Sequence, residues 1–328
     1  MVRTLKTHSK QILFSSLICI LICCLVIQPQ RYIASVYQGM VLFATNVAPA
    51  LFPFFFFTKL LTSLGGADYL GKALRKPVSA LYRAPGSSGY VYVMSVLSGY
   101  PVGSRLIADL YDNGCLTTAD ARKISTFTST SGPLFIVGTV GTLMLHNPKC
   151  GYYIMLCHFV GALVNGLFYR GKRSESLPAQ IRAETTDNIL SSSITNSIWS
   201  VLIVGGYIAV FSMVVDVLDD LGVIDALAEP LAFALEACNQ PPELARGIVM
   251  CLIEITRGCQ TIAACGAPLR YAAPFVAAML SFGGLSILFQ SMTFLSHCKV
   301  KVSFFLISKL TQAAVTFWIT YALCPIFL

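Results

Sequence analysis

The chain has 328 residues, 55% hydrophobic and 12% charged, with a formal net charge of +8. Soluble domains run at about 25% charged, so this composition excludes a soluble domain and describes an all-α polytopic membrane protein. The positive balance does not point to nucleic acid, because Lys and Arg in a membrane protein report loop orientation and no basic run here interleaves with aromatics.

Arg3, Lys6, His8 and Lys10 precede an apolar run at 11–27. Gln28-Pro29-Gln30-Arg31 offers no small-residue cleavage site, so the run reads as an uncleaved helix with a cytoplasmic N-terminus. Residues 37–64 form a second span, interrupted by Pro49 and Pro53 and closed by Gly65-Gly66. Leu70, Leu74, Val78 and Leu81 recur at helical spacing among Lys72, Arg75, Lys76 and Arg83, which predicts an amphipathic interfacial helix. Residues 90–110 are apolar but broken at Gly99-Tyr100-Pro101 and carry Arg105. A polar loop follows from Asp112-Asn113-Gly114 to Lys123, in which Thr117-Thr118-Ala119-Asp120 is a cap for a short helix within the loop. Residues 124–145 form a span with Thr128-Ser129-Thr130-Ser131-Gly132-Pro133 at its middle, and 152–169 form the next. A basic linker holds Arg170, Lys172, Arg173 and Arg182. Residues 198–218 span again, and an acidic loop follows in which Leu227, Leu231 and Leu235 suggest a second interfacial helix. Residues 247–265 repeat the apolar, interrupted construction around Glu254 and Arg257. Spans at 271–295 and 302–323 close the chain.

The two halves carry the same order of parts. Leu64-Gly65 with Leu70 resembles Leu221-Gly222 with Leu227. Gly103, Ile107 and Ala108 match Gly258, Ile262 and Ala263, and Gly132, Leu134 and Ile136 match Gly283, Leu285 and Ile287. If 90–110 enters and returns as a hairpin, the basic loops all face the cytoplasm and the acidic loop 219–243 faces outside. A nine-residue leg rises roughly 13 Å, enough to reach the middle of a roughly 30 Å core. The expected architecture is therefore an inverted repeat with two re-entrant helical hairpins and discontinuous helices, the usual build of secondary transporters. Its parts are an N-terminal transmembrane helix (1–35), a first repeat (36–170), a cytoplasmic linker (171–196) and a second repeat (197–328).

Charge and broken helix at membrane depth are costly and mark functional sites. The candidate substrate-binding residues are Gly99, Tyr100, Pro101, Gly103, Ser104, Arg105, Thr128, Ser129, Thr130, Ser131, Gly132, Glu254, Thr256, Arg257, Gly258 and Gly283. Pro101 would start the returning leg, with the amides of Val102, Gly103 and Ser104 aimed at the midplane. Thr256 would cap the matching leg. Arg105 and Arg257 would match substrate carboxylates bidentately. Glu254 would bind a coupling proton or sodium, or orient Arg257. Alternatively, Glu254 and Arg257 form a structural pair, the Ser/Thr run serves helix packing and Arg105 snorkels to the interface. The twelve cysteines form no CxxC pair or zinc spacing, and His8, His146, His158 and His297 are scattered, so no metal or cofactor is expected. No HExxH, Ser/His/Asp set or paired aspartates lie at membrane depth, so an enzyme is not expected.

SGYPVGSRLIADL (98–110), TFTSTSGPLFIVGTVG (126–141) and LIEITRG (252–258) resemble the YlbJ family of sporulation integral membrane proteins. More distantly, the chain resembles the gate, or nucleoside-recognition, domain of spore maturation proteins, ferrous-iron permeases and concentrative nucleoside transporters. The family's motif falls on Ser98, Gly99, Tyr100, Pro101, Gly103, Ser131, Gly132, Pro133, Glu254 and Gly258. The resemblance implies a multi-pass protein of the cell or forespore membrane that moves dipicolinate, a small aromatic dicarboxylate. The expected partners are a small-molecule anion and the lipid bilayer, with a homo-oligomer and other sporulation membrane proteins left open. The alternative is a non-transporting membrane scaffold required for spore envelope assembly.

Overall fold

The computed structural model describes residues 2–64, 66–172 and 189–327. Gly65, Arg173 and Arg182 lie outside the described residues. Helices make up the regular structure: α1 Val2–Ile27, α2 Pro29–Leu42, α3 Ala48–Ser63, α4 Gly66–Tyr82, α5 Ser87–Ser98, α6 Val102–Asp112, α7 Thr118–Thr128, α8 Pro148–Phe168, α9 Ile189–Asp220, α10 Val223–Ala237, α11 Leu244–Ile253, α12 Ile255–Ala264, α13 Leu269–Phe282, α14 Gly284–Leu295 and α15 Val302–Phe327. Wider π-helical turns join α2 to α3 at Phe43–Val47 and form the segment Leu134–Met144 after α7.

Four helices among the described residues are long and apolar enough to cross a membrane: Pro148–Phe168, Ile189–Asp220, Leu269–Leu295 and Val302–Phe327. A fifth candidate is the pair Ile18–Ile27 and Pro29–Thr45, bent by 111°. Helix α15 identifies the solvent. Its buried side is Ser308, Lys309, Gln312, Thr316 and Thr320, and its exposed side includes Ile307, Leu310 and Trp318. A helix that hides its polar stripe and shows its apolar one is built for lipid.

The expected breaks are real interruptions. Gly99 has φ +82°, a left-handed value that glycine adopts without Cβ strain. It ends α5, and α6 starts at Val102. Residues 129–133 separate α7 from the π-helical segment, Glu254 separates α11 from α12, and Gly283 (φ +87°) separates α13 from α14. The stretches broken at Gly99 and at Glu254 each fold back on themselves. A Cβ on Gly258 would collide with the backbone of Cys251, and one on Gly247 would lie 2.5 Å from Ile262, so α11 and α12 run antiparallel in close contact. Gly103 does the same for α6, which lies against Ser95 of α5.

The capping signal holds. The Thr117 hydroxyl accepts from Asp120 N, and the Asp120 carboxylate accepts from Thr117 N, a reciprocal box. The helix it starts is not a short loop helix but α7, the first leg of the broken span. In α4, Val78 and Tyr82 face inward. Leu81, expected on the apolar face with Val78, is instead exposed, because the buried stripe continues from Val78 to Tyr82 at a spacing of four. In α10 the buried face is Ile224, Ala228 and Leu235. Leu227, expected on that face, points outward, because the helix begins at Val223 and its inner stripe follows from there.

The two largest hydrophobic cores each mix both halves of the chain. One joins α3 to α7 with α14 and Phe305 of α15, and the other joins α10 to α13 with the π-helical segment and α8. The second leg of each broken span thus crosses to the opposite hairpin.

Candidate functional site

The four breaks open on one cavity of about 100 Å³. Its wall includes Ser98, Gly99 and Tyr100 from the first hairpin, Ser131 and Gly132 from the α7 break, Glu254 and Thr256 from the second hairpin, and Gly283 from the α13 break. Gln290 adds an amide, and Leu51, Phe54, Val204 and Ile208 supply apolar surface. The breaks touch in pairs. A Cβ on Gly99 would sit 2.5 Å from Gly132 N, and one on Gly284 would sit 2.6 Å from Cys251 O.

Glu254 is 2% exposed. Its carboxylate accepts from Arg257 N at 2.8 Å and from the Thr256 hydroxyl at 3.1 Å. Glu254, not Thr256, is therefore the cap of α12, and an acceptor at a helix N-terminus satisfies an otherwise orphaned amide. The Arg257 guanidinium turns away and pairs with Asp216 of α9 at 2.6 Å. It lies in a separate, more polar recess with Gln38, Ser212, Gln260 and Thr261. The Glu254–Arg257 ion pair does not form, because a side chain on the first turn of α12 cannot fold back over its own cap while Asp216 is within reach.

Arg105 is also off the cavity wall. It donates to Asn196 O of α9 at 3.0 Å and approaches Asp109 at 3.9 Å. One turn of α6 carries it past the break and onto α9. Pro101, Gly103 and Ser104 lie behind the wall as well. The Val102 amide is taken by Gly99 O at 3.1 Å, and Gly103 packs on Ser95 and Thr128 O. Thr128 bonds back to Ile124 O, and Gly258 packs on Cys251. Ser129 and Thr130 are buried off the cavity wall with unpartnered hydroxyls.

Lys309 and His158 are central and were not among the candidates. Lys309 is 1% exposed. Its ammonium donates to the Tyr100 hydroxyl at 2.7 Å, to Ser129 O at 2.9 Å and to Gln312 Oε1 at 2.9 Å. It also lies 4.7 Å from the centre of the Tyr100 ring. Tyr100 in turn donates to the carbonyls of Leu280 and Ser281, both at 3.3 Å. His158 Nε2 accepts from Ser131 N at 2.9 Å, and its Nδ1 lies 2.7 Å from the Ser281 hydroxyl, which donates to Thr316. These bonds fit a neutral imidazole protonated on Nδ1. The network runs from Gln312 through Lys309, Tyr100 and Ser281 to His158 and ties the breaks of both halves together. The signal was in the sequence: Ser308, Lys309, Gln312, Thr316 and Thr320 share one face of an otherwise apolar helix.

The Arg257–Asp216 pair has a direct test. The two side chains are 28% and 17% exposed, so losing one partner should cost roughly 1–3 kcal/mol, between the values for surface and buried pairs. Arg257→Gln should lower thermal stability, and Asp216→Asn combined with Arg257→Gln should restore most of it. Glu254→Gln combined with Arg257→Gln should restore nothing. Rescue by Glu254→Gln instead would place the ion pair where the spacing first put it.

The fold and the site define a class: a multi-pass, all-α integral membrane protein with a largely apolar cavity that carries a few polar groups at helix breaks. The chain is similar to the Sporulation integral membrane protein YlbJ of Bacillus subtilis (strain 168). The two are 27% identical over 324 residues, covering 92% of this chain and 79% of that one. No family model matches the chain, and no solved structure does.

Proposed function

We propose that the protein is a permease for a small organic anion in spore formation, with dipicolinate its favoured substrate. The observation that carries this reading is the meeting of four helix breaks at one cavity, backed by a buried ammonium. Helix breaks are tolerated at membrane depth where they line a water-filled cavity, and substrate sites of secondary transporters are built that way. The relative's description as a sporulation protein supports the setting.

Two re-entrant hairpins and an inverted repeat complete the proposal. The hairpin legs hold 10 to 12 residues, roughly 15–18 Å at 1.5 Å per residue, about half of a 30 Å core. Corresponding helices keep corresponding neighbours. Helix α6 touches α14 as α12 touches the π-helical segment, α7 touches α8 as α13 touches α15, and α4 touches α5 as α10 touches α11. Helices α8 and α15 pack on each other, as a pair related by a twofold axis would. The likeness to the gate domain belongs to this architectural proposal and does not set the substrate.

Glu254 serves as the coupling site, and the coupling ion is a proton. Anion and carboxylate share one cavity, so their charges cannot both stand unneutralised there. A cysteine at Thr139, on the cavity wall, tests the reading. It should react with a water-soluble thiol reagent, and dipicolinate should protect it while the uncharged diamide does not. A reactive cysteine with no protection by any carboxylate would point to a scaffold with a water-filled cleft.

A further inference from the structure

The arginines first expected to hold the anion are engaged elsewhere, which leaves open what receives its carboxylate. We infer that Lys309 is that receptor and that Tyr100 shutters it. This rests on the permease reading and assigns the substrate group within it.

Lys309 has no carboxylate partner among the described residues. Its three hydrogen bonds go to neutral oxygens, so no acidic side chain among the described residues compensates a charge on its amine. Such a charge is expensive and is normally paired or functional. Around it are polar groups with hydrogens to give and nothing to receive them. Gln312 Nε2 has no partner, although the other atom of the same amide holds Lys309. The hydroxyl of Ser129, whose carbonyl also holds Lys309, has none. Thr130, next in the chain, is 0% exposed and its hydroxyl is likewise unpartnered. Buried polar groups are rarely left unmade, and unused donors gathered about a cation are the chemistry of an anion site.

Tyr100 is the only residue that both lines the cavity and bonds Lys309 among the described residues. Its own donor bonds, to Leu280 and Ser281, are long at 3.3 Å, so its hydroxyl is weakly held on that side. An entering carboxylate takes the place of the Tyr100 oxygen on the ammonium. Gln312 Nε2 and the Ser129 and Thr130 hydroxyls then complete its shell. No bond is made or broken beyond hydrogen bonds.

Calorimetric titration of the purified full chain with dipicolinate tests this, using three variants. Gln312→Glu places a carboxylate on the atom now 2.9 Å from Lys309 Nζ. It should weaken dipicolinate at least tenfold while raising the melting temperature, because the buried charge gains an internal partner. Lys309→Met should also weaken binding at least tenfold. Tyr100→Phe should tighten it severalfold by removing the competing hydroxyl. The opposite signs of the Gln312 and Tyr100 effects separate a site from general damage, even if Lys309→Met does not fold. Wild-type affinity in folded Gln312→Glu would overturn the assignment and leave the permease reading standing. Failure of the wild-type protein to bind dipicolinate would overturn both.

Discussion

Replacing Glu254 with Gln is expected to leave dipicolinate uptake measurable but indifferent to a proton gradient. Gln keeps an oxygen to accept from Arg257 N, so the α12 cap survives. What disappears is the charge. Two unit negative charges about 6 Å apart at an effective dielectric of about 20 repel by roughly 3 kcal/mol. In the proposed mechanism that repulsion is relieved when the anion enters with a proton on Glu254. Uptake should therefore rise about tenfold or more under an inwardly directed proton gradient, acidic outside, and the Gln variant should show no such rise. A Glu254→Gln protein still driven by the gradient would move the coupling site elsewhere.

Gly258→Val is expected to remove the folded protein altogether. A Cβ at Gly258 would overlap the backbone nitrogen, Cα and Sγ of Cys251. The obstruction is mostly backbone, so no side chain can swing aside, and the hairpin must open. Overpacking typically costs 1–3 kcal/mol, and about 3 kcal/mol is the floor expected here, a large share of a total stability of about 5–15 kcal/mol. Gly206→Ala is the matched control. Gly206 lies in α9 with nothing within 4 Å of a built Cβ, so alanine there should be neutral or raise stability by about 0.5–1 kcal/mol. Thermal unfolding in detergent measures both, and a Gly258→Val protein as stable as Gly206→Ala would show that the two legs do not pack closely.

The breaks were legible because glycine and proline announce them locally. Gly99-Tyr100-Pro101 and Ser131-Gly132-Pro133 interrupt apolar runs, and the structure interrupts its helices at the same places. The helices Gly66–Tyr82 and Val223–Ala237 were legible from 3.6-residue spacing. Their register was less so: Leu227 lies on the outer side of α10 because the inner stripe is set by Ile224.

The partners of the charged groups were not legible. Arg257 and Glu254 are three residues apart, which on a continuous helix makes them neighbours. Glu254 is instead the residue where the helix restarts, so its carboxylate turns to the backbone and Arg257 finds Asp216, 41 residues away. Asp216 was visible as an acid inside the apolar run of α9. Lys309 was hidden by the average hydropathy of its run, which a single lysine barely lowers. His158 passed as one of four scattered histidines, although it lies mid-span and seven residues from Asn165. Asn165 is a second fully buried polar group, bonded to Thr126 O and Ser308. Reading each span for a polar face, and not only for length, finds these residues.

The most direct measurement is counterflow with the purified protein in liposomes preloaded with unlabelled dipicolinate. Labelled dipicolinate added outside should accumulate transiently above its equilibrium level, which only a carrier that exposes one site alternately to both sides can produce. Accumulation no greater than in protein-free liposomes, from protein shown to be folded and inserted, would contradict transport and leave a structural role in the membrane.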